Sequence, residues 1–313
     1  MKPRIFLDGS VGTTGLRIRD LLERRRDVEI TTLTEPERKD SAARQAALGA
    51  ADVAVLCLPD DAAREAAKWA QDASVRLLDA SSAHRVAEGW IYGLPELAPG
   101  QRDAIRGAKL VSNPGCYPTG FLLLIRPLID AGLLAPDAPL SVHALSGYSG
   151  GGKPLIGKWE DPTTGLRDLP YEAPYSLAAR HKHIPEMLRW SGLGTEPQFV
   201  PAVGPFRCGM RVEVPLHAAL LHAGSDAKAL WEALHSRYEG EPSVRVLPLA
   251  DAAALHEHSF DPRACNDTNR IDLHVVPNPA GHVLLIAILD NLGKGAAGAA
   301  VQNLELMLDL APS

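Results

Sequence analysis

Of the four cysteines in the chain, at positions 57, 116, 208 and 265, Cys116 has the surroundings of a nucleophile. It sits in Ser112-Asn113-Pro114-Gly115-Cys116-Tyr117-Pro118-Thr119-Gly120, just ahead of an apolar stretch, Phe121 to Ala131, that reads as a helix. A thiol near a helix start feels the positive end of the helix dipole, which stabilises the thiolate and lowers the pKa. Gly115 permits a sharp turn before it, and the Asn113 amide offers a donor for an oxyanion. Cys57 lies inside an apolar run and reads as inert packing, while Cys208 and Cys265 lack comparable loop-to-helix punctuation. The chemistry suggested by Cys116 is covalent catalysis, and the plain alternative is a buried structural thiol. Such a nucleophile needs proton traffic, for which His181-Lys182-His183-Ile184-Pro185-Glu186 is the candidate. Pro185 suits the first position of a helix, so the histidines are expected in extended chain before it. Residues two apart in extended chain point the same way, so both rings can face one pocket with Glu186 orienting one of them. A His-x-His pair can also bind a metal, although no third ligand stands at a suggestive spacing, and either ring can be a hydrogen-bonded core group.

Two further segments suit an anionic substrate. Ser146-Gly147-Tyr148-Ser149-Gly150-Gly151-Gly152-Lys153 reads as a flexible loop carrying hydroxyls, amides and one cation, with Ser149, Gly150 and Lys153 as its candidate contacts. Ser81-Ser82-Ala83-His84-Arg85 follows a strand; Ser82 and Arg85 are its candidates, since an arginine grips a carboxylate or phosphate in bidentate fashion. Each also reads as ordinary surface loop. Gly9-Ser10-Val11-Gly12-Thr13-Thr14-Gly15 lies between a strand and a helix, where dinucleotide pyrophosphates bind: glycine lets the backbone turn tightly, and the helix-start amides meet the negative charge. The spacing is GxxGxxG, not the commoner GxGxxG, and a structural turn would use glycines here too. Beyond the second strand, Thr34-Glu35-Pro36-Glu37-Arg38-Lys39 mixes acids, which favour a ribose hydroxyl, with cations, which favour a 2′-phosphate. NADP is the lean, and a solvated charged loop is the alternative.

The elements that must position these groups alternate over the first hundred residues. Arg4 to Leu7, Val28 to Leu33, Val53 to Leu58 and Val75 to Ala80 read as strands. Helical patterns begin near Leu16, with Ile18, Leu21 and Leu22 on one face, and run from Asp61 to Ala70. The expected fold class is therefore α/β, a doubly wound parallel sheet. After Pro118 the texture changes. Leu140 to Leu145, Met210 to Leu216, Ile271 to Val276 and Val283 to Leu289 suggest a mixed sheet in an α+β domain, and Gly295 to Leu310 reads as a final helix with Val301, Leu304, Met307 and Leu308 on one face. The 313 residues suggest about two domains, with a boundary near Cys116 and no repeat or low-complexity linker. A net charge of -6, without long basic runs, argues against nucleic acid or an anionic membrane as the main partner. No apolar run approaches the ~20 residues of a membrane span, the amino terminus lacks a signal-peptide core, and the unpaired cysteines suit a reducing cytoplasm.

Together the motifs resemble N-acetyl-γ-glutamyl-phosphate reductase in its shorter form, within a superfamily that includes aspartate-semialdehyde dehydrogenase. The carriers are DGSVGTTGL (8–16), DVAVLCLPDDAAREA (52–66), DASSAHR (79–85), YGLPEL (92–97), SNPGCYPTG (112–120), SGYSGGGK (146–153), HKHIPEM (181–187) and DNLGKGAAGAAVQNLELM (290–307). The resemblance implies that Cys116 attacks the acyl phosphate of N-acetyl-γ-glutamyl phosphate and expels phosphate. The thioester then takes hydride from NADPH and collapses to the semialdehyde, with no metal required. It implies His181 as base, supported by Glu186, with His183 second. It places the cofactor against Gly9, Ser10, Gly12, Thr13, Thr14, Gly15, Cys57, Leu58 and Pro59, and against a second segment of Asn291, Gly293, Lys294 and Gly295. It further implies a dinucleotide-binding Rossmann domain of residues 1–115 with a return at 290–313, a catalytic and oligomerisation domain of 116–289, and a homo-oligomer, dimer or tetramer, built through the second sheet. The rivals are the same chemistry on aspartyl phosphate or N-acetyl-aminoadipyl phosphate, a Cys-His hydrolase, and a non-catalytic NADP-binding protein.

Overall fold

The apolar run after Arg4 forms β1 (Arg4–Asp8), which is buried from Ile5 onward. In the computed structural model, which describes residues 2–71 and 74–312, the chain continues through α1 (Thr13–Leu22), β2 (Glu29–Thr31), α2 (Ser41–Gly49), β3 (Val53–Leu56), α3 (Asp60–Trp69), β4 (Arg76–Asp79), β5 (Ile91–Tyr92), α4 (Gln101–Gly107) and β6 (Leu110–Ser112). These strands make one six-stranded sheet in the order β2-β1-β3-β4-β6-β5, parallel throughout. Uninterrupted apolar strands such as Val53–Leu56 are what a parallel sheet covered on both faces requires. The α/β doubly wound fold expected from the alternation is observed. The strand expected over Val28 to Leu33 is shorter, because β2 is an edge strand laddered to β1 only from Glu29 to Thr31. Helix α2, absent from the sequence reading, starts where the Asp40 side chain accepts the Ala42 N–H at 2.9 Å.

The order of the strands reverses between β1 and β3, which makes that point the topological switch of the sheet. The chain folds as two compact units, this one of Met1–Gly115 and Ala296–Ser313 and a second of Cys116–Gly295.

The second unit contains α5 (Cys116–Asp130), β7 (Ser141–Gly147), α6 (Gly152–Glu160), β8 (Ala173–Pro174), α7 (Ile184–Ser191), β9 (Gln198–Gly204), β10 (Met210–Leu216), α8 (Ala227–Tyr238), β11 (Val244–Val246), β12 (Ile271–Pro277) and β13 (Val283–Leu289). Its seven strands run β11-β12-β13-β10-β7-β9-β8, with parallel and antiparallel pairs, so the expected mixed sheet is present. Helix α5 is apolar almost all round and buried almost all round, as a central helix must be. It packs on β10 and β13 and is flanked by α7 and α8. A Cβ at Gly120 would lie 2.9 Å from Val212 Cγ2 and 3.3 Å from Ala287 Cβ, so this glycine sets how closely the helix meets the sheet. The helix starts five residues before the expected Phe121: Pro118 falls in its first turn, where no N–H is needed. Pro127, deeper in the helix, leaves the Leu123 carbonyl without its usual donor. The Tyr238 hydroxyl of α8 donates to that carbonyl at 2.8 Å.

The chain then passes through a π-helical turn, Gly293–Ala297, into α9 (Gly298–Met307). Ala297, Ala300, Val301, Leu304 and Met307 join Ile5, Leu7, Ile18 and Val55 in one core of the first unit, which is the return expected of the final helix. Arg76 donates to the Met307 carbonyl at the end of α9 and to the Ala108 carbonyl after α4, a cation placed at two helix carboxyl ends.

Tyr238→Phe should leave the Leu123 carbonyl buried without a donor. The expected loss of unfolding free energy is about 1–3 kcal/mol, read from denaturant melts, with turnover per folded molecule little changed.

Candidate active site

The glycine turn separates two uses of glycine. Gly9 has φ of +86°, and a Cβ there would lie 2.2 Å from the Cys57 carbonyl oxygen; one at Gly15 would lie 2.4 Å from the Gly9 carbonyl oxygen. Both are demanded by the protein's own packing at the switch point. Gly12 is not, since its Cβ would meet nothing nearer than 3.6 Å. Gly12 is also the N-cap of α1 and supplies no side-chain cap, and the Thr13 Oγ1 beside it is buried with no hydrogen-bond partner. Helix-start amides without a cap, a buried hydroxyl without a partner and open space over Gly12 are the features a dinucleotide phosphate fits. Ser10 is buried within the same turn, next to the partly buried Thr14. Cys57 ends β3 opposite; burial first, then the Asp79 and Asp8 carboxylates, push its thiol up to about 12, so it is not an ionised nucleophile. Leu58 follows it, and Pro59 is the N-cap of α3.

Beyond β2, Glu37 opens a short 3₁₀ turn and is engaged locally. Its carboxylate accepts the Thr34 N–H at 2.9 Å and the Thr34 hydroxyl at 2.6 Å, bonds that hold its pKa below the ordinary carboxylate value. Neither Arg38 nor Lys39, beside it, enters an ion pair among the described residues.

The segment after β4 is more tightly knotted than a surface loop. Asp79, fully buried, accepts the Ser81 N–H and hydroxyl, both at 2.8 Å, and His84 Nδ1 lies 2.6 Å from its Oδ2. The His84 ring stacks on Trp90 with centroids 4.0 Å apart. Ser82 gives its hydroxyl to Asp60 of α3 at 2.9 Å, and the neighbouring Arg85 is buried. Asn113 has protein partners in place of the oxyanion that its loop suggested: its amide donates to the Ala296 carbonyl at 3.0 Å and accepts from Asn303 at 3.1 Å.

In the second unit Cys116 is the first residue of α5 and partly exposed. A Cβ at Gly295 would lie 2.8 Å from Cys116 Cβ, so Gly295 leaves the room in which that side chain sits. Next to Cys116, the Tyr117 ring is packed edge-on by both histidines, at 6.0 Å from His181 and 5.7 Å from His183. The structure thus collects His181 and His183 around Tyr117, the residue that follows Cys116 at the start of α5. The reason differs from the expected extended chain: His183 is helical in φ and ψ, the Ile184 N–H bonds the His181 carbonyl at 3.0 Å, and the turn stacks the rings edge to face at 4.8 Å. The expected helix start near Pro185 holds.

Partners decide the state of His181. Its Nδ1 accepts the His183 backbone N–H at 3.2 Å, so the neutral ring carries its proton on Nε2 and donates to the Tyr175 oxygen at 3.3 Å. Tyr175 in turn donates to Tyr117 at 3.3 Å. Burial, with a smaller effect from Lys182, lowers His181 to about 4. Burial raises Tyr175 to about 12 and Tyr117 well above its ordinary value, with Cys116 a further contributor to both. Glu186 adjoins the other ring: its Oε1 is 3.9 Å from His183 Nε2, so the carboxylate expected to support His181 stands beside His183. Tyr117 and Tyr175 were not singled out from sequence. Tyr117 lay in view inside the cysteine motif, whereas Tyr175 stands in an irregular stretch without periodicity.

The Ser146–Lys153 segment is a correction. It is not a flexible loop: β7 ends at Gly147, a 3₁₀ turn covers Tyr148–Gly151, and α6 follows. Backbone bonds from Gly147 to the Gly209 carbonyl and from Ser149 to the Arg207 carbonyl, at 2.8 and 3.0 Å, stitch it down. Asn291 spans the join, accepting the Gly209 N–H at 2.8 Å and donating to Ser149 Oγ at 2.9 Å. A Cβ at Gly150 would lie 3.5 Å from that Asn291 amide, and Lys153 is exposed. A Cβ at Gly293 would lie 2.3 Å from the Thr268 carbonyl oxygen, and Lys294 is fully buried. Among the described residues, no three His, Cys, Asp or Glu side chains converge as metal ligands do, and no helix is long and apolar enough to cross a membrane.

Residues 4–107 match the NAD binding domain of semialdehyde dehydrogenase, and residues 116–291 match the semialdehyde dehydrogenase dimerisation domain. The N-acetyl-gamma-glutamyl-phosphate reductase of Burkholderia orbicola (strain MC0-3) is 50% identical over 98% of this chain and 97% of its own. The N-acetyl-gamma-glutamyl-phosphate reductase 2 of Nostoc sp. (strain PCC 7120) is 48% identical over 99% and 98%. The chain belongs to the N-acetyl-γ-glutamyl-phosphate reductase family. Its fold is also that of aspartate semialdehyde dehydrogenase II from Vibrio cholerae, with a TM-score of 0.75 at 18% identity over 99% of both chains. The family's NAD binding domain covers the glycine turn, and the family's dimerisation domain begins at Cys116.

Gly9→Ala should destabilise the first unit by about 2–4 kcal/mol through positive φ and overpacking. Gly12→Ala should melt as the parent does yet bind nicotinamide cofactor less tightly. Thermal melts with cofactor titration separate the two, and equal stability losses would void the distinction. The His181 Cε1–H signal should titrate near 4, with Nε2 protonated at neutral pH. Because the unfolded ring takes up its proton near the ordinary 6.5, His181 favours the unfolded chain as pH falls from about 6.5 to 4. An NMR midpoint near 6.5, or an Nδ1–H tautomer, would contradict this.

Proposed function

We propose that this protein reduces N-acetyl-γ-glutamyl phosphate to N-acetylglutamate 5-semialdehyde, releasing phosphate, through a thioester on Cys116. The observation that carries the reading is Cys116 at the first turn of α5, beside a tyrosine packed by both histidines. The sulfur attacks the acyl carbon, the carbonyl electrons move to oxygen, and on their return the carbon–phosphate oxygen bond breaks. Reduced nicotinamide, when bound, would supply hydride to the thioester carbon, and the proton that the base took from the thiol goes to the oxygen, giving a thiohemiacetal. The thiohemiacetal oxygen then loses its proton, the carbon–sulfur bond breaks, and the thiolate is regenerated.

His181 is the base in this reading and His183 the second candidate, with Glu186 holding the latter. To take a proton at Nε2, His181 must first move its own proton to Nδ1 and release the His183 N–H. Losing one long backbone bond costs about 0.5–1.5 kcal/mol, small against the ~8 kcal/mol or more that enzymes remove from a barrier. Arg85, Ser82, Ser149, Gly150 and Lys153 serve the substrate, and Asn113 acts chiefly by pinning the loop before Cys116.

The cofactor is proposed to be NADP. Glu37, the acid that would pair with a ribose hydroxyl, is held by Thr34, while Arg38 and Lys39 keep their charge for a 2′-phosphate. The cofactor lies along Gly9, Ser10, Gly12, Thr13, Thr14 and Gly15, with Cys57, Leu58 and Pro59 opposite. Asn291, Gly293, Lys294 and Gly295 are the second cofactor-facing segment in this reading. The protein works as a homo-oligomer in the cytoplasm on a small acyl phosphate, the oligomer reading being supported by the match to a dimerisation domain.

In the reverse direction, N-acetylglutamate semialdehyde, phosphate and NADP should yield reduced nicotinamide absorbance. Cys116→Ala should abolish it while still binding NADPH. Residual turnover within about tenfold of the parent, a ~1.4 kcal/mol effect, would remove Cys116 from the mechanism. Silence with this aldehyde and signal from aspartate semialdehyde would move the substrate to aspartyl phosphate.

A further inference from the structure

The strand that delivers the glycine turn ends in a charge. Asp8 is the last residue of β1, buried, and covalently next to Gly9. Its negative potential reaches across the switch point, as its effect on the Cys57 thiol records. Pyrophosphate approaching the turn would meet that carboxylate behind the amides intended for it, and at low dielectric such repulsion is strong. Arg44 of α2, also buried, answers it: Nε and Nη2 donate to Asp8 Oδ2 at 3.1 and 2.9 Å. The guanidinium lies over the Trp69 ring of α3, 4.9 Å from its centroid, which fixes the plane of the cation.

We infer that Arg44 is a positioning residue for the cofactor: by cancelling Asp8 at the end of β1, it lets the glycine turn present its amides to a pyrophosphate with no uncompensated buried charge behind them. The inference rests on the reading of that turn as the dinucleotide site. Arg44 acts through Asp8 and not by touching the phosphates, since two of its donors are committed to the carboxylate and its face to the indole. Removing the cation alone should therefore harm binding, and removing both charges should restore it.

The test is calorimetric titration of NADPH into the parent protein, Asp8→Asn, Arg44→Gln and the double variant, with thermal melts and steady-state kinetics alongside. Arg44→Gln should weaken binding about tenfold or more, with kcat at saturating cofactor within about threefold, while Asp8→Asn binds at least as well as the parent. The double variant should return to within about threefold of the parent. Binding by Arg44→Gln equal to the parent overturns the inference. So does a double variant as weak as Arg44→Gln, which would mean that Arg44 meets the cofactor directly. If Arg44→Gln does not fold, the double variant decides alone: folding with near-parental affinity supports compensation, and weak binding refutes it. A parent protein that binds neither NADPH nor NADH overturns the cofactor reading and this inference together, whereas a binding parent with unrescued Arg44→Gln overturns only the inference.

Discussion

A cysteine at the first turn of a buried helix can be no better placed than the helix itself, and the second unit is organised around that constraint. Helix α5 is held from three directions. Gly120 lets it lie on β10 and β13, Tyr238 supplies the donor that Pro127 removes, and Gly295 opens the space that Cys116 Cβ takes up. Each fixes a backbone coordinate from which the sulfur's position follows, and each does so by removing a conflict that an ordinary residue would create.

The glycines show how one residue type answers different demands. Gly9 and Gly15 are required by the protein's own atoms, whereas a Cβ at Gly12 would make only an ordinary contact, 3.6 Å from the Gly9 carbonyl oxygen. Repetition of glycine in the turn is therefore two structural necessities and one unexplained opening, and the opening is what points to a ligand. The same logic runs along the β-strand ends of the first unit. Asp8 and Asp79 are buried acids at the carboxyl edge of one parallel sheet, Asp8 engaged at Oδ2 by Arg44 and Asp79 at both oxygens by Ser81 and His84. A sheet edge that is to meet phosphates can contain acids only when they are matched in this way.

Much of this was legible in the residues. Strands with continuous apolar runs, β3 and β13 above all, announce themselves because burial on both faces leaves no polar position. The cysteine at a loop-to-helix junction and the proline that starts α7 were visible for local reasons, capping and ring geometry. What escaped was non-local. Short strands such as β5 and β6 exist because neighbours supply the ladder, and α2 depends on one Asp40 cap in a polar stretch. Glycine and serine in the 146–153 segment read as flexibility, yet hydrogen bonds to residues some sixty positions away hold it in a 3₁₀ turn. Tyr175 reaches His181 only because the fold brings an irregular segment back, and the pairing of Glu186 with His183 follows from a turn that the expectation of extended chain had replaced.

The protonation of His181 bears on the class of chemistry. In a hydrolase built on a cysteine and a histidine, the two groups stabilise one another as an ion pair, so the ring must hold its proton at neutral pH and its pKa must rise. Here burial drives His181 down to about 4, and its one shifting charge, Lys182, pushes in the same direction. A neutral ring cannot be the standing counter-ion of a thiolate. A thiolate at Cys116, as proposed, would draw instead on the N–H groups at the start of α5, which remain in place through every step. A neutral imidazole can accept a proton once it has shifted its own to Nδ1 and can return it later, which suits the proposed reaction, in which the sulfur is acylated, reduced at carbon and set free again. It does not suit one in which an imidazolium must stand ready for an amine leaving group, and on this ground the reductase reading is preferred over the hydrolase.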